Sequence, residues 1–145
     1  MHFITGGAFN GKKQWVIETY ELQANPHQWV SFYQKQQPEW TENFTVLEGI
    51  EGYIKRLVEQ TKDAQQARKQ WIQDMQNWLE WEKEEPGRKL VLIGSDITKG
   101  IVPIEAINRM WRDAVGWCFQ EVAKQAEQVT AISYGIPQIL KKQEE

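Results

Sequence analysis

Cysteine and histidine are almost missing from this chain: Cys118 is its one cysteine, and His2 and His27 are its two histidines, in 145 residues. A single cysteine excludes an intrachain disulfide, and so few soft ligands leave zinc sites and histidine triads poorly supplied. Cys118 lies among helical residues, where a small buried hydrophobe is expected rather than a reactive thiol. His2 falls in an apolar run and His27 in a turn-like stretch after Asn25-Pro26, so neither is expected to be catalytic. No apolar run approaches the length that spans a bilayer, and no basic segment leads into a long apolar stretch, so the cytoplasm is the expected compartment. A formal charge of -3 gives no electrostatic reason to expect nucleic acid as a partner.

What is present fits one soluble domain. Hydrophobic residues make up 41% and charged residues 26% of a chain too short for two ordinary domains, so residues 1–145 are expected to form one unit. Its first distinctive feature is Gly6-Gly7-Ala8-Phe9-Asn10-Gly11-Lys12-Lys13, which follows the short β-prone run His2 to Thr5. This is a phosphate-loop pattern, GxxxxGK, except that Lys13 stands where Ser or Thr is usual. Glycines let backbone N–H groups wrap a phosphate, the lysine neutralises its charge, and the hydroxyl holds Mg²⁺. Gly6, Gly7, Ala8, Asn10, Gly11, Lys12 and Lys13 are therefore the expected nucleotide-binding residues, with Lys12 catalytic, while Lys13 puts metal-assisted phosphoryl transfer in doubt.

Four apolar runs read as strands: residues 2–5, 44–47, 90–93 and 129–133. They are continuous rather than alternating, as parallel strands covered on both faces are. Helical patterns lie between them, at about 12–22, about 50–84 with a break near Thr61 to Asp63, and about 104–127. Alternation of this kind predicts an α/β fold whose ligand sits at the carboxyl ends of the strands. The segment Gln23 to Glu42, interrupted by Pro26 and Pro38, reads as an irregular flap or a short helix; its Trp29, Phe32 and Tyr33 fit a structural cluster better than a base-stacking set. Ala64, Ala67, Trp71, Met75, Trp78 and Trp81 form a stripe at helical spacing, suited to packing on the parent sheet or to a subunit interface.

Two acids stand at or beyond strand ends: Glu48 after Leu47, and Asp96 two residues beyond Ile93-Gly94. Carboxylates there can hold Mg²⁺ opposite a phosphate loop, which makes Glu48 and Asp96 the candidate metal ligands and catalytic acids; capping or turn formation is the alternative.

The second half adds Asp96-Ile97-Thr98-Lys99-Gly100-Ile101-Val102-Pro103, then Arg109-Met110-Trp111-Arg112-Asp113-Ala114-Val115-Gly116, and Gly135-Ile136-Pro137-Gln138-Ile139-Leu140-Lys141. With the opening loop, these resemble in order and spacing the adenosylcobinamide kinase / adenosylcobinamide-phosphate guanylyltransferase family of cobalamin biosynthesis, in a shortened and degenerate form. The resemblance implies a P-loop NTPase-like three-layer fold with a mainly parallel sheet of about four to six strands. It also implies ATP or GTP binding, a kinase step on a cobinamide-type small molecule, and a homo-oligomer, a trimer in the family. The chain departs from the family where the guanylylated histidine is expected, since Trp29 to Gln36 contains none and His27 comes too early. The strand expected soon after the first helix is not evident, and Phe119 replaces an asparagine. Guanylyl transfer by the histidine route is thus expected to be lost, and a relic acting as a binding or oligomerisation module is the alternative to a kinase. Arg109, Arg112 and Asp113 are expected in salt bridges, Pro103 at a helix start, and Gly135 and Pro137 in a turn after the last strand.

Overall fold

A computed structural model describes residues 1–98 and 103–143. The chain runs β1 (His2–Gly6), α1 (Lys12–Thr19), β2 (Gln28–Ser31), a 3-10 turn (Phe32–Gln34), β3 (Phe44–Glu48), α2 (Ile50–Thr61), α3 (Ala64–Glu84), β4 (Lys89–Ser95), α4 (Ala106–Gln125), β5 (Gln128–Ser133) and β6 (Ile136–Lys142). One sheet holds all six strands in the order β2-β3-β4-β1-β5-β6. β1 to β5 are parallel and β6 returns antiparallel beside β5. The α/β class and the mainly parallel sheet are as the sequence predicts.

The continuous apolar runs alternate between two cores. Phe3, Leu47, Leu90, Leu92 and Val129 face a large cluster with α2, α3 and α4, while Ile4, Val46, Val91, Ile93 and Ile132 face a smaller one with Val16 of α1. The tryptophan stripe belongs to the larger core of the monomer. Trp71 and Trp78 meet edge to face at 5.4 Å, Phe32 stacks on Trp78 at 6.0 Å, and Trp81 packs against Trp40 at 4.6 Å. Cys118 is buried there too, which pushes its thiol up to about 12. The break between α2 and α3 falls where the sequence places it: Lys62 turns left-handed at φ 52°, and the Asp63 carboxylate accepts from Gln65 N and Gln66 N to cap the next helix.

Several expectations need correction. The segment 23–42 is not simply a flap, because Gln28–Ser31 pairs with β3 and supplies the edge strand not evident in the sequence. Pro137 lies inside β6 rather than in the turn, opposite Ile132, where the free side of an edge strand tolerates a missing N–H. Pro103 precedes α4, whose N-cap is Glu105. Arg109 donates to the carbonyls of Pro103 and Ile104, and Arg112 to that of Thr98 at 3.1 Å, so these guanidinium groups tie loop backbone to α4 instead of forming salt bridges among the described residues. The turn expected at Gly100 lies outside the described residues. Among the described residues no helix is long and apolar enough to cross a membrane.

Candidate nucleotide site

The loop Gly6 to Lys12 leaves the carboxyl end of β1, between β4 and β5, and enters α1. Gly6 has φ 142°, and a Cβ there would stand 2.3 Å from the Ile132 carbonyl oxygen, so only glycine lets β1 pass so close to β5. The Gly6 carbonyl accepts from Asp96 N at 2.9 Å, which ties the loop to the end of β4. Lys12 opens α1 yet is only 8% exposed, and its Nζ donates to the Gly7 carbonyl at 2.7 Å. Burial pushes the Lys12 ammonium below the ordinary lysine range, with Glu51 and then Glu48 pulling it back. Lys13, in the usual hydroxyl position, is exposed and holds its ammonium 5.4 Å from the Trp29 ring centroid, a cation–π contact with β2.

Across from the loop, β3 and α2 meet at Gly49, whose φ of 82° caps α2 without a side chain. A Cβ on Gly49 would stand 2.9 Å from the Tyr33 ring, so glycine admits that ring against the helix N-terminus. The Tyr33 hydroxyl donates to Glu51 Oε2 at 2.5 Å, and Ser95 N donates to Glu51 Oε1 at 3.0 Å. Glu51, 6% exposed, therefore has both carboxylate oxygens engaged, in the first turn of a helix whose dipole favours an acid there. Burial, followed by the bond to Glu51, raises the Tyr33 hydroxyl far above the usual phenol range. The resulting cleft, of about 680 Å³, is walled by Lys12, Lys13, Tyr33, Glu48 and Glu51, with Ile93 and Ile97 as apolar lining.

The fold thus brings Gly11, Lys12, Lys13, Ala8, Asn10 and Glu48 into one cleft. Asp96 goes elsewhere: its Oδ1 accepts from Thr98 N at 2.9 Å and Thr98 Oγ1 at 2.6 Å, shaping the loop after β4. Glu51 and Tyr33 complete the cleft, and sequence reasoning missed Glu51 because it is one of two glutamates on an amphipathic helix, with no motif or strand end to single it out. The histidines lie at the other end of the sheet. His2 begins β1, and His27, bonded to the Asn25 carbonyl at 2.9 Å, immediately precedes β2. In a parallel sheet both stand at the amino ends of strands, away from the loop. Among the described residues no group of three or more His, Cys, Asp or Glu side chains is arranged to hold a metal. A Mg²⁺ ion carried in with a nucleotide needs less, because one or two carboxylates plus phosphate oxygens and water suffice. Glu48, a hard oxygen donor that lines the same cleft as the loop, fits that requirement.

Comparison with known proteins assigns most of the chain to a family. The family model for cobinamide kinase / cobinamide phosphate guanyltransferase matches residues 13–140, beginning just after the glycine-rich loop. A curated protein of Pseudomonas aeruginosa, the bifunctional adenosylcobalamin biosynthesis protein CobP, is 36% identical over 63 residues. That stretch covers 43% of this chain and 36% of the relative's own length. With most of its length matched by the family model, the chain belongs to the cobinamide kinase / cobinamide phosphate guanyltransferase family.

Proposed function

We propose that the chain is a single nucleotide-binding domain that holds ATP or GTP at Gly6, Gly7, Ala8, Asn10, Gly11 and Lys12 and phosphorylates a hydroxyl of a cobinamide-type small molecule. The observation that carries this reading is the buried Lys12, whose ammonium rests on the Gly7 carbonyl of its own loop and feels the charges of Glu51 and Glu48. Arrival of a triphosphate would draw that ammonium off Gly7 and onto phosphate oxygens, while the N-terminus of α1 supplies N–H donors. Glu48 would hold Mg²⁺, which spreads the developing phosphate charge when bound. The acceptor hydroxyl oxygen would attack the γ-phosphorus as the bond to the β-phosphate oxygen breaks, leaving the nucleoside diphosphate and releasing the hydroxyl proton to water. Glu51 keeps Tyr33 and the end of β4 in place behind Lys12. Asp96 supports the loop after β4 rather than the metal.

Histidine-borne guanylyl transfer is not part of this function, since His2 and His27 both lie at the amino ends of strands. Lys13 favours a second reading, a nucleotide-binding relic without turnover, because it stands where the loop usually offers a hydroxyl to the metal. Equilibrium binding of ATP and GTP with and without Mg²⁺, together with phosphoryl transfer to cobinamide, separates the two. Wild-type protein is expected to bind tighter with Mg²⁺, and Lys12→Ala to lose roughly tenfold or more in affinity. Binding indifferent to Mg²⁺ with no transfer supports the relic, and no binding ends both. Labelled GTP should leave no covalent adduct; an adduct abolished by His27→Ala would restore the transferase.

A further inference from the structure

Two aromatic side chains, one in the phosphate loop and one in the turn beside it, leave their rings exposed. Phe9, at the loop tip, has φ 62° and is fully exposed at 104%; Tyr134, in the β5–β6 turn, has φ 55° and is 91% exposed. A bulky side chain in the left-handed region is strained, and such strain gathers at functional sites. The turn itself makes the choice of tyrosine unusual. Ser133 pairs with Ile136, so Tyr134 and Gly135, at φ 55° and 73°, form a two-residue hairpin loop of the type that prefers Asn-Gly. Among the described residues neither ring pairs with another aromatic ring.

The two turns are locked together. Tyr134 N donates to Asn10 Oδ1 at 3.2 Å, Gly135 N donates to the Asn10 carbonyl at 2.9 Å, and a Cβ on Gly11 would stand 3.4 Å from Gly135 Cα. The backbone that carries Tyr134 is thereby held beside the start of α1, where phosphates would rest. We infer that Tyr134 is a stacking platform for the purine base of the bound nucleoside triphosphate, with Phe9 as a second aromatic at the mouth of the cleft. The inference rests on the nucleotide reading proposed above and adds the residues that hold the base. Stacking suits a purine of either kind, because the aromatic face reads surface rather than exocyclic groups.

The test compares ATP, GTP and inorganic tripolyphosphate binding to wild-type protein, Tyr134→Phe and Tyr134→Asn. Wild-type protein should bind both nucleotides more tightly than tripolyphosphate, and Tyr134→Phe should match it. Tyr134→Asn should lose roughly tenfold for ATP and GTP, keep its affinity for tripolyphosphate, and melt at a higher temperature, because asparagine relaxes the turn. A purely structural tyrosine would not give opposite signs for stability and base affinity. Equal wild-type affinity for tripolyphosphate and nucleotides, or unchanged nucleotide affinity in Tyr134→Asn, overturns the platform and leaves the phosphate site standing. Absence of binding to all three ligands overturns the nucleotide reading and the platform with it.

Discussion

The helical core and the carboxyl edge of the sheet are built on opposite terms. Under α2, α3 and α4, large rings fill space mainly by shape; Tyr53 and Trp111 at the margin donate to Asp74 and to the Glu51 carbonyl, but the buried Trp71 Nε1 has no hydrogen-bond partner among the described residues. At the strand ends, a few polar atoms from distant parts of the chain hold one another in short contacts, as Tyr33, Glu51 and Ser95 do. The core tolerates an orphaned N–H because its stability is spread over many contacts. The cleft has no such redundancy, and its geometry depends on single residues.

Substitution at Trp71 should break the comparison most sharply. Trp71→Ala is expected to cost about 3–5 kcal/mol, a fall in Tm on the order of 10 °C, whereas Trp71→Phe should cost far less because the lost N–H bonded nothing. Equal losses in calorimetry would mean that the indole N–H, not the volume, matters. Glu51→Ala comes next, at about 1–3 kcal/mol, since it leaves the Ser95 N–H and the Tyr33 hydroxyl without their acceptor. Denaturant titration reads that cost directly, and an unchanged midpoint would show that the cleft does not rely on this carboxylate.

The smallest effect concerns acid. Burial, with Lys89 and the N-terminal ammonium adding to it, lowers His2 from 6.5 to about 4, and its Nδ1 shares a 2.5 Å hydrogen bond with the Tyr20 hydroxyl. The unfolded chain takes up this proton before the folded one does, so the contribution is fully present above about pH 6.5 and is lost as pH falls toward 4. Solvent at the partly exposed ring limits the loss to about 1 kcal/mol or less. Melting at pH 5 and pH 7 should show a smaller gap in His2→Gln than in wild-type protein; identical gaps would assign the acid sensitivity to other groups.

The same contrast explains what could be read in advance. Strands β1, β3, β4 and β5 are continuous apolar runs because both of their faces are covered, and the stripe on α3 repeats at helical spacing because one face is buried. Edge strands carry a weaker signal. β2 is four residues, Gln28–Ser31, between a histidine and a 3-10 turn, and β6 includes Pro137, Lys141 and Lys142. Their strand character comes from the neighbour that supplies hydrogen bonds. In the cleft, Gly11, Lys12 and Glu48 could be picked out from a local motif and a strand end. Glu51 could not, and Asp96 was picked out although its carboxylate turns to Thr98.

The order of residues alone determined the alternation of strands and helices and the placement of the glycine-rich loop, with its Lys12-Lys13 pair, after the first strand. Those properties are local, arising from side-chain periodicity and backbone freedom over a few residues. The tertiary structure decided which acid faces Lys12, that His2 and His27 stand at the opposite end of the sheet, and that Asn10 binds the turn carrying Tyr134. These depend on strand order and on contacts between residues as far apart as Asn10 and Tyr134, and no local pattern records them.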